Sequence, residues 1–431
     1  MMNMKVKITP FRSTLSICPV CKKQIAARLV KKSSGWYMEK FCDEHGSYST
    51  VVWRGAPELT DWDKYKSPAE DSPPPCPSAC GLCSRHLQST CCVLIEVTSR
   101  CNLHCSFCFA ESEDGHRENE KTPDELYKIF RELVRDGRSF LQLSGGEPTV
   151  RDDLPEIVAA AKRAGCDSIQ LNSNGIRLGE DRAFTKKLAD AGLSFVFMQF
   201  DGLDDHVYKK LRNRPLLQKK LDAIRVCDEF NIGVTLVPTI VPGVNDNQIG
   251  DIIKFAIENS PAVRGVHFQP VSYFGRYPQT PKNSDRITLP EIVTAIEVQT
   301  NGLVKTKDLA PSCCDHPRCG FHGDFVVLPD KLLALTQSDN QNSCCSEPSS
   351  EEALRNRRFV SRRWKRDGTP ISDNLDMSSM DAFLSRVKTH GFTITGMAFQ
   401  DAYNLDITRL RRCSLHVYDN GKIVPFCSYY I

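Results

Sequence analysis

The chain lacks an excess of charge of one sign and lacks any long hydrophobic run. Its 431 residues carry 56 lysines and arginines against 53 aspartates and glutamates, which gives a formal net charge of +3. This balance argues against a general binder of polyanions. No apolar run approaches the roughly 20 residues that a transmembrane helix needs. The first residues run into polar sequence without an apolar segment, so we expect no signal peptide and a cytoplasmic protein.

Cysteine is the residue that stands out, with 20 copies in the chain. In a small secreted domain such a number indicates disulfide bonds, whereas in a cytosolic protein it favours metal sites in a reducing compartment. The length is sufficient for more than one domain and a sizeable core. Groups of cysteines with the spacing of metal ligands therefore carry the most information about function.

The central group is Cys101, Cys105 and Cys108, separated by three and then two residues, with Phe107 before the last thiol. It directly follows the apolar run Val93–Val97, which predicts a buried strand. A closed zinc site or electron-transfer cluster takes four protein ligands. Three clustered thiols can instead hold three irons of a 4Fe–4S cluster and leave the fourth iron open to another ligand.

A second motif follows the next predicted strand, where the chain continues as Gly145, Gly146 and Glu147. Two glycines let the backbone approach a ligand closely, and a carboxylate accepts hydrogen bonds from an ammonium group. The alternative is an ordinary zinc or ferredoxin-type site followed by an unrelated glycine turn. The order of the two motifs after consecutive strands favours one shared site.

Apolar strands and amphipathic helices alternate from residue 93 to 290 and predict an α/β fold, a partial (β/α)6 barrel of the TIM type. The predicted strands are Val93–Val97, Phe140–Leu143, Ser168–Leu171, Phe195–Phe200, Gly233–Val237 and Gly265–Phe268. In such barrels the chemistry lies at the C-terminal ends of the strands.

Polar residues follow several of these strands and are expected to face the same site. Ser173 and Asn174 follow the third strand, Asp201 follows the fourth and Thr239 follows the fifth. Taken alone, the asparagine–glycine and aspartate–glycine pairs at these ends are also typical of simple turns.

Residues 1–70 indicate a small metal-binding module with Cys18, Cys21, Cys42 and His45 as ligands. Two knuckles on short hairpins bring four ligands together around one tetrahedral ion. The alternative is that His45 is a turn residue and only three ligands exist. The ligand types do not decide between zinc and a single iron.

Residues 71–92 carry a further thiol group, for which we predict the ligand set Cys76, Cys80, Cys83 and Cys91 of a 4Fe–4S cluster. A second zinc knuckle is the alternative.

Residues 291–431 form a C-terminal region with a third possible set, Cys314, Cys319, Cys413 and Cys427. A predicted hairpin between the last two thiols brings them near each other. The competing thiols in this region are Cys313, Cys344 and Cys345. The same region contains the basic run Arg355–Arg366, which fits either a solvated helix face or a phosphate-binding surface.

Together these motifs resemble the radical S-adenosylmethionine (SAM) superfamily. With His316–Cys319 and Gly396–Ala402, they are similar to one subgroup. That subgroup includes archaeal tetraether-lipid synthase, pterin-methylating radical SAM enzymes and bacterial relatives without an assigned substrate.

The resemblance implies that Cys101, Cys105 and Cys108 carry the catalytic cluster and that Gly145–Glu147 holds the amino group of SAM. Phe107 would lie near the adenine. The residues expected to bind the rest of SAM are Ser173, Asn174, Asp201 and Thr239. The two further thiol sets would hold auxiliary 4Fe–4S clusters, and the N-terminal module a mononuclear zinc or iron.

The activity implied is reductive cleavage of SAM to a 5′-deoxyadenosyl radical, with electrons from a donor such as ferredoxin or flavodoxin. The expected outcome is carbon–carbon bond formation or methylation of a small molecule such as a lipid or a pterin. Modification of nucleic acid or peptide is an alternative that rests only on the basic run. A non-enzymatic electron carrier is a second alternative, but it needs no ammonium-binding turn.

Overall fold

The computed structural model describes residues 12–63, 82, 86–112, 120–312, 315–336, 363–366 and 380–431. Several thiols considered above lie outside the described residues: Cys76, Cys80, Cys83, Cys313, Cys314, Cys344 and Cys345. Residues 355–362 of the basic run also lie outside them.

The N-terminal module is an antiparallel sheet whose turns carry the predicted metal ligands. Its strands pair in chain order: β1 (Arg12–Ile17), β2 (Gln24–Lys32), β3 (Gly35–Cys42) and β4 (Gly46–Trp53). Alternate residues of β3 are buried, as expected for a sheet with one face against a core. The short helix α1 (Leu59–Trp62) follows.

The module packs against the C-terminal region of the chain. The indole nitrogen of Trp62 donates to the carbonyl of Pro317 at 2.9 Å. The hydroxyl of Thr14 donates to Asp406 at 2.7 Å. The buried ammonium of Lys40 donates to the carbonyl of Ala402 at 2.6 Å. Polar contacts therefore join the first and the last parts of the chain.

The barrel contains the six predicted strands, all parallel and paired in chain order. They are β5 (Cys92–Thr98), β6 (Phe140–Gly145), β7 (Ser168–Ser173), β8 (Phe195–Gln199), β9 (Gly233–Val237) and β11 (Val263–Pro270), with the two-residue β10 (Thr239–Ile240) beside β11. The partial barrel expected from the sequence is thus confirmed.

Helices between these strands, and one after β11, cover the outside of the sheet. They are α2 (Pro123–Arg135), α3 (Leu154–Ala164), α4 (Ile176–Glu180), α5 (Arg182–Asp190), α6 (Asp205–Arg212), α7 (Leu217–Glu229), α8 (Ile249–Glu258) and α9 (Leu289–Gln299). Helix α2 shows why they form: Thr122 and Glu125 make a capping box, and the apolar residues Leu126, Phe130 and Leu133 bury one stripe.

The C-terminal region extends the same sheet at both edges. Its strands are β12 (Ala310–Pro311), β13 (Gly320–Val327), β14 (Leu332–Ala334), β15 (Gly391–Met397), β16 (Leu415–Asp419) and β17 (Lys422–Pro425). Strand β15 pairs in parallel with β11, and β16 pairs in parallel with β5. These strands of residues 291–431 therefore belong to the same sheet as the barrel strands, and the predicted hairpin is β16–β17.

Among the described residues of the C-terminal region, the structure also has the short helices Met380–Thr389, Ile407–Leu410 and Phe426–Tyr429. Within the part of the chain that the structure describes, no helix combines the length and the apolar character needed to cross a membrane.

Candidate active site

The cysteine loop, residues 101–108, lies at the C-terminal end of β5 and faces a cavity of about 410 Å³. Cys101, Cys105 and Cys108 all line this cavity. The loop is tied to the chain that follows β11, because Cys108 and Arg276 exchange backbone hydrogen bonds of 3.0 and 2.9 Å. The guanidinium of Arg276 also donates to the carbonyl of Cys105 at 3.1 Å and to that of Ser112 at 3.1 Å. The backbone of the loop is therefore fixed while its thiols face the cavity.

A buried ion pair also holds the loop. Arg212, at the end of α6, makes two hydrogen bonds of 2.8 Å with the carboxylate of Asp201. The same guanidinium donates to the carbonyl of Phe107 at 3.2 Å and to the hydroxyl of Thr239 at 3.2 Å. Sequence reasoning missed Arg212 and Arg276, since nothing local to either residue indicates contacts with a loop that lies 105 or 171 positions away.

Asp201 has a different place from the one we expected for a SAM ligand. It is fully buried and does not line the cavity, whereas Thr239 and Phe107 do. One of its oxygens accepts from Arg212 and from the backbone N–H of Thr239 at 3.1 Å, and the other accepts from Arg212 and Gln199. With both oxygens engaged, Asp201 positions its neighbours.

The two glycines lie against the chain that enters the cysteine loop. Gly145 has a φ of +112°, and a Cβ atom there would lie 2.2 Å from the carbonyl oxygen of Thr98. A Cβ atom on Gly146 would lie 2.1 Å from the carbonyl oxygen of Arg100. The N–H groups of Gly146 and Glu147 donate to those same two oxygens at 2.8 Å. Only glycine allows this approach, which joins the two motifs predicted to share a site.

Glu147 is buried at the wall of the cavity and organises the end of β7. Its Oε1 accepts from the backbone and hydroxyl of Thr149 at 3.1 and 2.6 Å and from Ser173 at 2.8 Å. Its Oε2 accepts from the backbone N–H of Asn174 at 2.6 Å. A carboxylate oxygen has two lone pairs, so Oε2 retains capacity for one more donor. The site therefore fits an ammonium group beside the three thiols.

The thiols need to lose protons before they bind iron. Burial raises the pKa of Cys101 to about 12. Metal ligation replaces the proton of a thiol, so cluster assembly here is linked to proton release. Cys91 and Cys92 also line the cavity, but they lie at the N-terminal end of β5, away from the cysteine loop. The three thiols of the loop, with an acceptor for an ammonium group nearby, have the composition of an open cluster site and not of a closed one.

Comparison with known proteins identifies the family to which the chain belongs. The Radical SAM superfamily model matches residues 95–256, and the HMPTM N-terminal zinc ribbon domain model matches residues 10–54. The 7,8-dihydro-6-hydroxymethylpterin dimethyltransferase of Methanocaldococcus jannaschii is 32% identical over 97% of this chain and 93% of the relative. The chain belongs to the radical SAM superfamily. It is a member of the same family as that dimethyltransferase.

Three further proteins are similar to this radical SAM protein over part of its length. A probable GTP 3′,8-cyclase of Thermococcus kodakarensis is 36% identical over 38% of this chain and 52% of its own. Among solved structures, methylornithine synthase is 17% identical with a TM-score of 0.39 and covers 51% of this chain and 65% of its own. Streptococcus suis SuiB bound to S-adenosylmethionine is 20% identical with a TM-score of 0.35 and covers 42% and 39%.

The N-terminal ligand group of this radical SAM protein is Cys18, Cys21, Cys42 and His45. Their ligand atoms all lie within 4.8 Å of one another, so the structure brings His45 to the three thiols. The sulfurs of Cys21 and Cys42 are 3.9 Å apart, and Nδ1 of His45 is 3.6 Å from the sulfur of Cys42. Burial raises the pKa of Cys18, but hydrogen bonds from the N–H groups of Cys21 and Val20 and from the other thiols lower it to about 6.

Three of the predicted C-terminal cluster ligands, Cys319, Cys413 and Cys427, interact with one another. Burial raises the pKa of Cys413 well above its usual value, and the charges of Asp315, Cys427 and Cys319 raise it further. The fourth predicted ligand, Cys314, lies outside the described residues.

Cys91, predicted to belong to the other auxiliary set, lies beside this group. Its backbone N–H donates to the carbonyl of Ser414 at 2.8 Å. Its predicted partners lie outside the described residues, so both auxiliary sets remain predictions.

The described end of the basic run packs against the barrel. Arg363 pairs with Asp324 at 3.2 Å, and Arg366 pairs with Asp228. Trp364 lines the cavity. For these three residues of the run the solvated-face interpretation is therefore wrong, because their side chains are engaged within the protein.

Proposed function

We propose that this radical SAM protein methylates a small heterocyclic substrate of the pterin class. The observation that carries the proposal is the near full-length similarity to a 7,8-dihydro-6-hydroxymethylpterin dimethyltransferase, which includes the N-terminal zinc ribbon. The cavity supports it, because about 410 Å³ lies within the usual range for a small-molecule site. Methylation of a carbon atom forms a carbon–carbon bond, so both outcomes expected from the sequence describe one step.

Each residue of the site has a defined part in the proposal. Cys101, Cys105 and Cys108 hold the catalytic 4Fe–4S cluster, and Oε2 of Glu147 accepts a hydrogen bond from the ammonium group of SAM. When bound, the cluster would supply the electron for reductive cleavage of one SAM to methionine and the 5′-deoxyadenosyl radical. A second SAM would donate the methyl group and leave as S-adenosylhomocysteine, and the external donor would supply the two electrons that the overall reaction consumes. The protein binds and orients the reactants and excludes water, which is the usual share of a protein in cofactor chemistry.

The other side chains position these groups. Phe107 and Thr239 line the cavity and offer an aromatic face and a hydroxyl to the adenosine part of SAM. Ser173 and Asn174 hold the Glu147 carboxylate in place. We further propose auxiliary clusters on the other thiol sets, a mononuclear zinc or iron in the N-terminal module and a cytoplasmic ferredoxin or flavodoxin as the electron donor.

The test is an anaerobic reaction of reconstituted full-length protein with dithionite, SAM and 7,8-dihydro-6-hydroxymethylpterin. Mass spectrometry would measure 5′-deoxyadenosine and any pterin product heavier by one or two methyl groups. The inactive comparison is Cys105→Ala. The matched control is Cys166→Ala, since Cys166 is a buried thiol that follows helix α3 and does not line the cavity.

Formation of 5′-deoxyadenosine and of methylated pterin by the parent and by Cys166→Ala, but not by Cys105→Ala, is the expected result. Formation of 5′-deoxyadenosine without any methylated pterin would contradict the substrate class. Absence of both products from a protein with intact clusters would contradict the proposed activity and favour an electron carrier.

A further inference from the structure

The cavity continues below the cysteine loop into the barrel, where a second set of side chains lines it. We call Phe197, His267, Asp324, Trp364 and Thr395 the floor group; all five line the cavity. They come from strands β8, β11, β13 and β15 and from the segment 363–366. None of them belongs to the cysteine loop or to the Gly145–Glu147 turn. The floor group therefore requires an explanation of its own.

Aromatic rings close the bottom of the barrel. The ring of Trp364 lies 4.7 Å from that of Phe197 and 5.5 Å from that of Phe195, measured between centroids. The indole nitrogen of Trp364 donates to the hydroxyl of Thr393 at 2.9 Å. The imidazole of His267 lies 5.4 Å from the ring of Phe197. Such a set of fixed rings is suited to a flat ligand, because aromatic faces and edges pack at these distances.

His267 adds a directed polar group to this surface. Its Nδ1 lies 2.8 Å from the hydroxyl of Thr395, on the neighbouring strand. Burial lowers the pKa of His267 to about 4, so the imidazole is neutral near pH 7. A neutral imidazole has one donor and one acceptor nitrogen. Since Nδ1 is engaged by Thr395, Nε2 is the nitrogen left for a ligand in the cavity.

Asp324 and Arg363 add a charged pair beside the rings. Nε of Arg363 lies 3.2 Å from Oδ1 of Asp324, and the two side chains are 17% and 15% exposed. Both residues line the cavity. A carboxylate next to a guanidinium presents hydrogen-bond acceptors and donors side by side. That arrangement is the complement of a ring edge that carries N–H donors next to a carbonyl oxygen.

We propose that the floor group, together with Arg363, binds the 2-amino-4-oxopyrimidine edge of the substrate. Asp324 accepts from the ring N–H and the amino group, Arg363 donates to the carbonyl, and Phe197 and Trp364 pack on the ring. His267 hydrogen-bonds to a further ring atom. The inference rests on the function proposed above, since a pterin supplies this edge; a guanine ring has the same edge.

Isothermal titration calorimetry tests whether the floor group binds the ring. It measures ligand affinity of the anaerobically reconstituted full chain, with SAM present and no reductant. The two probes are 7,8-dihydro-6-hydroxymethylpterin and GTP, titrated separately. The variants are Asp324→Asn and His267→Asn, and the matched control is Asp330→Asn, because Asp330 is exposed on the turn after β13. SAM affinity is measured for every variant as a check that the site is folded.

We expect Asp324→Asn to weaken pterin binding about tenfold to a hundredfold, the usual range for a lost hydrogen bond to a charged group. His267→Asn should weaken it about twofold to tenfold, as for a neutral hydrogen bond. Asp330→Asn should bind like the parent, and SAM affinity should not change.

The outcomes separate this inference from the function it rests on. Equal pterin affinity of the parent and Asp324→Asn would overturn the floor group as the subsite and leave the proposed function intact. Binding of GTP alone, weakened by Asp324→Asn, would support the subsite and overturn the pterin assignment. Binding of neither probe by the parent would overturn both. If Asp324→Asn also lost SAM binding, unchanged pterin affinity of His267→Asn would count against the inference.

Discussion

The N-terminal ligand group and the cysteine loop differ in how their ligand atoms are held. In the first, four ligand atoms lie within 4.8 Å of one another on the turns of antiparallel hairpins. In the second, three thiols line a cavity, and the loop is fixed through its carbonyls by Arg212 and Arg276. A closed set of four ligands is typical of structural metals, whereas an incomplete set leaves room for a reactant. One site should therefore matter for folding and the other for chemistry.

Removal of the N-terminal metal should have the largest effect on stability. Metal binding contributes about 10–16 kcal/mol to the folding of small zinc-folded domains. We expect Cys21→Ser to lose the mononuclear metal and to expose the module, residues 12–63, to protease. Metal analysis and limited proteolysis measure this, with Cys166→Ala as the control. If Cys21→Ser lost SAM cleavage while the module stayed protected from protease, the N-terminal site would matter for the chemistry and not for folding, which would contradict this comparison.

Breaking the buried ion pair should have the next largest effect. Arg212→Gln leaves the carboxylate of Asp201 buried without its partner, which costs about 3–5 kcal/mol of unfolding free energy. It also releases the carbonyl of Phe107, so SAM cleavage should fall as well. Denaturant unfolding and 5′-deoxyadenosine formation are the measurements.

The control for Arg212 is Arg182→Gln, because Arg182 pairs with Glu229 at the surface with 65% of its side chain exposed. An exposed pair contributes about 0–1 kcal/mol. The double variant, Asp201→Asn with Arg212→Gln, should recover part of the unfolding free energy that Arg212→Gln loses. Equal costs for Arg212→Gln and Arg182→Gln would contradict the structural role of the buried pair.

Gly146→Ala should have a smaller effect that is concentrated on SAM binding. The new methyl group would lie 2.1 Å from the carbonyl oxygen of Arg100, and displacement of backbone in a packed site costs about 1–3 kcal/mol. Gly137→Ala is the control: it has a φ of +77° but no atom within 4 Å of its Cβ position, so only the cost of a left-handed backbone, about 1–2 kcal/mol of unfolding free energy, is expected. SAM affinity should fall only for Gly146→Ala. Unchanged SAM affinity of Gly146→Ala would contradict a site shared by the cysteine loop and the Gly145–Glu147 turn.

Ser173→Ala should have the smallest effect of the series. The hydroxyl of Ser173 supports Oε1 of Glu147 at 2.8 Å, and one such hydrogen bond contributes about 1 kcal/mol. A modest fall in SAM affinity is expected. Ser139→Ala removes a similar bond to Asp167, of 2.6 Å, at an exposed site and should leave SAM affinity unchanged. Complete loss of SAM binding by Ser173→Ala would instead indicate direct contact.

Much of the fold was predictable because its signals are local. The six barrel strands are short apolar runs bounded by polar ends, and β9 (Gly233–Val237) has the predicted bounds. Strands β15 and β16 were not assigned to the barrel. Their places at opposite edges of the sheet depend on pairing with β11 and β5, which lie far away in sequence.

The residues of the candidate active site likewise divide into those with a local sequence signal and those without one. The cysteine spacing and the Gly145–Glu147 turn are local motifs and predicted the residues that line one wall of the cavity. Asp201 looked like a ligand because it follows a strand, but its role depends on Arg212, 11 residues further on. His267 and Trp364 lacked any local signal, since their packing on Phe197 arises only when three separate segments meet.

The most direct test of the contrast between the two sites is the electron paramagnetic resonance spectrum of the dithionite-reduced protein with and without SAM. We expect SAM to change the spectrum of the parent and of Cys21→Ser, and to have no effect on Cys105→Ala. That result would place the open cluster on the cysteine loop. A SAM-dependent change that persists in Cys105→Ala, or that disappears in Cys21→Ser while the module stays folded, would contradict it.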